Sequence, residues 1–366
     1  MNYKKNNFHI RVTKRNELFT TQLMDWHYAL NKRQMPWKGE KDPYKIWLSE
    51  IILQQTRVEQ GWNYYLKFIE AFPTVEKLAA AMDETVFKMW EGLGYYNRCR
   101  NLLYTARVIT EQYHGAFPKQ YEDLLKLKGV GSYTASAIAS FAFGLPYAVV
   151  DGNVIRVLAR YFGLDFVADS PSGIKLFSNQ VNMVLDKTDP AGFNQAIMDF
   201  GATICKPLSP LCMGCPLRDT CVAHQKGLVS SLPVKNKKPG KKQRYFCYLI
   251  FRIGKKVWIN QRRGRDIWQN LHEFFLFEVA TKADFQQFVP ENILKDLQVS
   301  FDTTAEIGSI YKQELTHQKI FSRFFLIDLK TIPSGFKEGM WVSRSEMEKA
   351  AFPKTITRFL SENLFA

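Results

Sequence analysis

Cys205, Cys212, Cys215 and Cys221 follow the spacing C-x6-C-x2-C-x5-C, which puts four thiols within seventeen residues. Sulfurs this close in sequence can share one metal centre, and a chain that binds one must wrap its loops around it. Zinc sites favour two C-x2-C-like pairs. This run has one short pair flanked by longer arms, so a thiolate-ligated iron–sulfur cluster fits better than zinc or four unrelated buried Cys. Cys99 and Cys247 lie far off, and six Cys in 366 residues make no disulfide scaffold.

The length suits two domains. Fifty Lys and Arg against 35 Asp and Glu leave a net charge of +15, which favours a polyanionic partner. No apolar run reaches the roughly 18 residues of a membrane span, and no apolar segment follows the first charges, so a cytoplasmic chain without membrane partners is expected. Residues 1–221 show helical periodicity. Residues 222–244 hold seven basic and no acidic side chains with Pro and Gly among them, which suggests an extended basic linker. Residues 245–366 suggest an α+β domain, with strands over Arg244–Phe251 and Ile320–Ile327 and a turn at Gly254 into Val257–Ile259.

Two motifs carry chemistry in the helical part. Leu127-Lys128-Gly129-Val130-Gly131-Ser132-Tyr133-Thr134-Ala135 sits between apolar helical segments. Two Gly around one apolar residue make a tight turn whose N–H groups open at a helix N-terminus, an anion site suited to a DNA backbone. The second motif is a pair of carboxylates. Asp42-Pro43 caps a helix that is apolar nearly all round, so Glu50 on it becomes a carboxyl among hydrocarbons, with its pKa raised as a general acid requires. Asp151 stands at the start of another helix, where the dipole and N–H groups are expected to keep it ionised. A protonated and an ionised carboxyl together suit glycosidic cleavage through an oxocarbenium-like state.

These residues together resemble the MutY-type adenine DNA glycosylases of the endonuclease III superfamily. Pro36-Trp37, Ser49-Glu50, Leu53-Gln54-Gln55-Thr56, Gly92-Leu93-Gly94-Tyr95-Tyr96, Gly129-Val130-Gly131, Val150-Asp151-Gly152-Asn153-Val154 and the four Cys fall in family order over residues 30–221. The resemblance implies a multidomain protein. Its all-α helix-hairpin-helix domain would have a hairpin lobe near 30–145 and a cluster lobe near 1–29 and 146–221, and an α+β Nudix-like domain would cover 245–366. It also implies one [4Fe–4S] cluster on the four Cys and, as partner, double-stranded DNA with adenine opposite 8-oxoguanine or guanine. A monomer, bacterial and nucleoid-associated, is expected.

Residue by residue, Glu50 would protonate adenine N7, Asp151 would stabilise the sugar cation, and Tyr133 and Asn153 would orient them. Gln55 and Tyr95 would wedge into the duplex as the base flips out. Arg33, Met35, Trp37 and Lys38 would line the pocket or its mouth, and Gly129, Val130 and Gly131 would grip phosphate. Leu315-Thr316-His317 stands where relatives carry a Phe-Ser-His loop that reads the opposing base. The first cluster loop, Lys206–Leu211, holds one basic residue where relatives have several. No Nudix hydrolase box is present, and the acids between Gln261 and Asp284 are Asp266, Glu273 and Glu278, so the last domain should read rather than hydrolyse. A bifunctional glycosylase/lyase would need Lys where Tyr133 stands, for Schiff-base chemistry. A DNA-binding module without catalysis would have no use for Glu50 and Asp151.

Overall fold

The computed structural model describes residues 2–236, 240–297, 299–333, 336 and 338–364, with side chains from Lys14 onward. Up to residue 225 the regular elements are helical: α1 (Asn2–Leu30), α2 (Pro43–Leu53), α3 (Val58–Ala71), α4 (Val75–Ala79), α5 (Asp83–Trp90), α6 (Asn97–Gln112), α7 (Tyr121–Leu124), α8 (Ser132–Phe143), α9 (Gly152–Phe162), α10 (Pro171–Val184), α11 (Pro190–Thr203) and α12 (Val222–Gln225). The chain divides into two compact units, residues 1–80 with 101–237 and residues 81–100 with 238–366.

In the first unit, α2 begins where Asp42 accepts the Tyr44 N–H at 2.9 Å and Pro43 takes the first helical position. Its residues from Tyr44 to Ile52 are buried apart from Lys45, because α8 and α3 both pack on it. A second core joins α1, α9, α10 and α11 through Phe19, Trp26, Tyr161, Phe177, Phe193 and Phe200. The half-buried Cys205, Cys215 and Cys221 pack against that core.

Part of the stretch read as a basic linker is folded onto this unit. Leu232 is buried and its carbonyl accepts from Arg160 Nε at 3.1 Å, while the Val234 carbonyl accepts the Ala168 N–H at 2.9 Å. The apolar residues between the lysines supply the burial that the charge count concealed.

The second unit is a mixed sheet: β1 (Lys242–Ile253), β2 (Lys256–Gln261), β3 (His272–Glu273), β4 (Phe275–Val279), β5 (Phe301–Glu314), β6 (Gln318–Leu329) and β7 (Met340–Val342). The strand order is β3-β2-β1-β6-β5, with β4 on β1 and β7 on β2. β1 and β6 run parallel, from Lys242 opposite Gln318 to Arg252 opposite Asp328. The helices Lys282–Gln287 and Pro290–Asp296 bury Phe285 and Leu294 against Leu249, Phe251, Phe325 and Ile327 on one face. On the other face Phe359, from the helix Lys354–Phe359, stacks on Phe324 at 3.9 Å.

Residues 81–100, expected to go with the helical catalytic region, belong to this unit. Lys88 Nζ donates to the Ala350 carbonyl at 3.0 Å, Glu91 Oε1 accepts the Phe352 N–H at 2.9 Å, and Arg100 Nη1 donates to the Gln269 carbonyl at 2.9 Å.

Candidate active site

A cavity of about 410 Å³ opens in the first unit. Glu50, Tyr133, Asp151 and Asn153 line it, as do Arg33, Met35, Trp37 and Lys38. The fold thus brings together eight of the expected site residues from α2, α8, α9 and the loop between α1 and α2.

Glu50 is 7 % exposed. Burial pushes its carboxyl up to about 7, the nearby Asp151 adds to the rise, and the Tyr133 hydroxyl, within hydrogen-bonding reach, opposes it. The same hydroxyl lies 3.5 Å from Met198 Sδ. Burial and the neighbouring carboxyls also raise the Tyr133 phenol well above its ordinary value, so it stays protonated and can donate.

Asp151 is the N-cap of α9. Its Oδ1 accepts the Asn153 N–H at 2.8 Å and the Val154 N–H at 2.7 Å, and its Oδ2 accepts from Asn153 Nδ2 at 2.8 Å. Those bonds and the Arg156 guanidinium favour the carboxylate, yet burial outweighs them and the pKa moves up. The cap is as expected. The direction of the shift is not, because desolvation by the cavity wall exceeds what the helix dipole and the capping N–H groups supply.

Behind this pair stand residues that sequence reasoning missed. Arg156 Nη2 donates to Asn153 Oδ1 at 2.8 Å and to the Gly201 carbonyl at 2.6 Å, and its Nε donates to the Cys205 carbonyl at 2.7 Å. Gly201 has no side chain for a reason: a Cβ there would lie 2.6 Å from Asn153 Cβ. Asp199, wholly buried on α11, binds Arg33 Nη1 at 2.8 Å and Lys38 Nζ at 3.2 Å, which holds both cations beside the cavity. A salt-bridge partner 166 residues from Arg33 leaves no local signature in the sequence.

The other expected residues lie outside the cavity. Gln55 is exposed just past α2 with φ 57, a left-handed conformation that costs a residue with a side chain on the order of 1–2 kcal/mol. The hairpin turn has Gly129 at φ 83, where a Cβ would meet Asn101 Cβ at 2.9 Å. Gly131 caps α8 and is exposed. Val130 faces inward, 6 % exposed, with its N–H given to the Leu127 carbonyl at 3.1 Å. It therefore anchors the turn, and the exposed α8 N-terminus is the part that faces solvent.

In the second unit, Tyr95, at φ 48 and 43 % exposed, hydrogen-bonds the Thr316 hydroxyl. Leu315-Thr316-His317 form a tight turn, with the Leu315 N–H on the Gln318 carbonyl at 2.8 Å and the Thr316 and His317 side chains exposed. The three acids Asp266, Glu273 and Glu278 are each taken by arginines. Arg262 binds Glu273 at 2.7 Å and Asp266 at 2.6 Å, and Arg244 binds Asp266 at 2.8 Å and Glu278 at 2.7 Å. Each of the three carboxylates is thus paired with a guanidinium.

The four cluster Cys are free and half-buried. Burial pushes the Cys215 thiol up to about 12, and Cys205, Cys221 and Cys212 each add to the rise. Thiols crowded like this resist ionisation unless cations sit among them. Backbone N–H groups of Leu217, Ala223 and His224 approach the Cys215 and Cys221 sulfurs, and Arg160 Nη1 lies 3.5 Å from Cys205 Sγ. Among the described residues no three His, Cys, Asp or Glu side chains close around a single metal-ion position. Four thiols with backbone N–H groups and a guanidinium directed at their sulfurs are donors of the kind a thiolate-ligated iron–sulfur cluster takes. The donor set fits the cluster.

The HhH-GPD superfamily of base excision DNA repair proteins matches residues 48–175, and a NUDIX domain matches residues 246–362. The chain is 30% identical over 348 residues to the adenine DNA glycosylase of Buchnera aphidicola subsp. Baizongia pistaciae, covering 94% of this chain and 96% of that one. The chain belongs to the adenine DNA glycosylase family. It is a multidomain DNA glycosylase of base excision repair, a hydrolase of N-glycosyl bonds with a helix-hairpin-helix domain and a Nudix-like domain. The adenine DNA glycosylase of Homo sapiens is 41% identical over 217 residues, 57% of this chain and 40% of that one. Among solved structures, a thermostable thymine-DNA glycosylase superposes with a TM-score of 0.55 at 30% identity, over 59% of this chain and 99% of that one. A non-covalent endonuclease III–DNA complex shares the fold, with a TM-score of 0.50 at 23% identity over 58% of this chain and 98% of that one. Among the described residues no helix is long and apolar enough to cross a membrane.

Proposed function

We propose that this adenine DNA glycosylase removes adenine from duplex DNA where it lies opposite 8-oxoguanine or guanine. The observation that carries the reading is the cavity that holds Glu50, Asp151 and Tyr133 together, with the Glu50 carboxyl near 7. A duplex base cannot reach such a cavity from the stack, so the nucleotide flips out, with Gln55 and Tyr95 filling the space it leaves. Glu50 in its acid form gives its proton to adenine N7, which turns a poor leaving group into neutral adenine as the C1′–N9 bond breaks. Asp151, held by Asn153, stabilises the positive charge left on the sugar. Glu50, now a carboxylate, takes a proton from the water that adds to C1′. Tyr133 keeps Glu50 oriented and, as a phenol, cannot form an imine, so the abasic strand stays intact.

The exposed N-terminus of α8 with Gly129 and Gly131, the basic chain as a whole and residues 222–244 supply phosphate contacts. Cys205, Cys212, Cys215 and Cys221 would hold one [4Fe–4S] cluster, which when bound supplies iron to compensate the crowded thiolates. Leu315, Thr316 and His317 read the base opposite adenine, the chain acts as a monomer, and a bacterial nucleoid is its setting. Single-turnover assays on duplexes with adenine opposite 8-oxoguanine, guanine, cytosine and thymine test the reading. Release should be fastest opposite 8-oxoguanine, then guanine, without strand scission. Release that ignores the opposing base, or that nicks the strand, overturns it.

A further inference from the structure

His27, on the last turn of α1, lines the same cavity as Glu50. Its hydrogen-bonding state is fixed by its neighbours. Asn31 Oδ1 accepts the Arg33 backbone N–H at 3.1 Å, and a backbone amide can only donate. Asn31 Nδ2 donates to Asp199 Oδ2 at 2.8 Å, and a buried carboxylate flanked by two cations can only accept. These two bonds settle which end of the Asn31 amide is nitrogen. The remaining N–H of that amide meets His27 Nδ1 at 3.1 Å, so Nδ1 must be the acceptor and carries no proton.

The ring is neutral. Burial and the Lys38 ammonium lower its pKa, and they outweigh the Asp199 and Asp189 carboxylates that act the other way. A neutral imidazole that accepts at Nδ1 bears its proton on Nε2. With Nδ1 committed to Asn31, the edge left for a ligand is an N–H donor.

We propose that His27 is a specificity-determining residue that donates its Nε2–H to N1 of the adenine in the cavity. The proposal rests on the adenine-excision reading. Three considerations choose N1. Asp189 acts on the ring from the N-terminus of α11, where its Oδ1 caps the helix, and a phosphate beside that carboxylate would be repelled. The ring's partner is therefore a neutral acceptor. Adenine offers N1, N3 and N7, and N7 faces Glu50 in the reaction. Along α11 the cavity is lined from Asp189 to Met198, and Gly201, packed on the Asn153 that holds Asp151, lies beyond that stretch, about 18 Å along the helix axis from the Asp189 end that acts on His27. N3 belongs to the glycosidic end of that span, and N1 lies on the edge of the base remote from it. Guanine carries a hydrogen on N1, so it would meet this donor with another donor, and the same bond that orients adenine rejects guanine.

The test compares adenine with 1-deazaadenine, which lacks the N1 acceptor, under single-turnover conditions opposite 8-oxoguanine, for the wild type and His27→Phe. The variant should lose roughly tenfold on adenine and less than about twofold on 1-deazaadenine, because the analogue has already forfeited the bond. His27→Gln, whose amide can donate, should keep most of the adenine rate. Nitrogen NMR of the wild-type imidazole reads the tautomer without any turnover and should find the proton on Nε2. Equal losses by His27→Phe on both bases, or an imidazole protonated on Nδ1 at neutral pH, overturns the proposal while leaving adenine excision intact. A wild type that releases no adenine from any duplex overturns the excision reading and this proposal with it.

Discussion

Glu50 is a carboxyl that folding moves from water to a wall of hydrocarbons, and the energetic sign of that move can be measured. Its folded-state pKa rises from an ordinary 4.5 to about 7, so the native state holds a proton that the unfolded chain gives up. A raised carboxyl pKa contributes stability below the unfolded value and loses it as pH rises through the folded value. Glu50→Gln carries no such dependence. Denaturant unfolding at about pH 5 and pH 8 should show the variant gaining on the wild type by about 2.5 kcal/mol across that window, from the difference between the two pKa values. A difference that stays constant with pH would mean that the carboxyl is not desolvated. Glu50 was legible because the apolar residues around it leave its helix no polar face. The Asp151 cap was legible too, since a carboxylate before Gly152-Asn153-Val154 is a local signal. His27, Asp199 and Arg156 were not, because each acquires its role from partners that only the tertiary fold supplies.

Helix packing sets how accurately Asp151 is held. α9 and α11 approach so closely at Asn153 that a single methyl on Gly201 would collide with its Cβ, Cα and carbonyl oxygen. The Asn153 backbone is at once a wall of that contact and a donor to Asp151. Gly201→Ala should therefore cost about 1–3 kcal/mol of stability by overpacking. It should also slow base release more than it weakens DNA binding, which Tm and single-turnover rates would resolve. Unchanged excision would show that the cap tolerates the shift. Among the strands, β1, β2 and β6 were readable from runs of aromatic and β-branched residues. β5 was not, since Phe301–Glu314 alternates weakly and exposes most of its side chains. The parallel pairing of β1 with β6 joins segments more than seventy residues apart and has no local signal.

At the scale of the molecule, the composition break near residue 240 marked the two folds, and the apolar pattern before it marked the helices. What it could not mark was residues 81–100, which are helical in sequence but are bonded through Lys88, Glu91 and Arg100 to the C-terminal unit. Removing residues 245–366 should leave some adenine excision and shrink the advantage of 8-oxoguanine over guanine as the opposing base. It should also open residues 81–100 to proteolysis, because their partners at Gln269, Ala350 and Phe352 are gone. An undiminished preference in the truncated chain would move recognition into the helical unit. The central claim is that an acid-form Glu50, sharing its cavity with Asp151, drives the loss of adenine. The pH dependence of single-turnover adenine release opposite 8-oxoguanine, for the wild type and Glu50→Gln, tests it most directly. The wild-type rate should fall as pH rises through about 7, and Glu50→Gln should bind the duplex yet release no adenine at any pH. A wild-type rate that climbs through that range, or a Glu50→Gln variant that excises adenine at a near-wild-type rate, would contradict it.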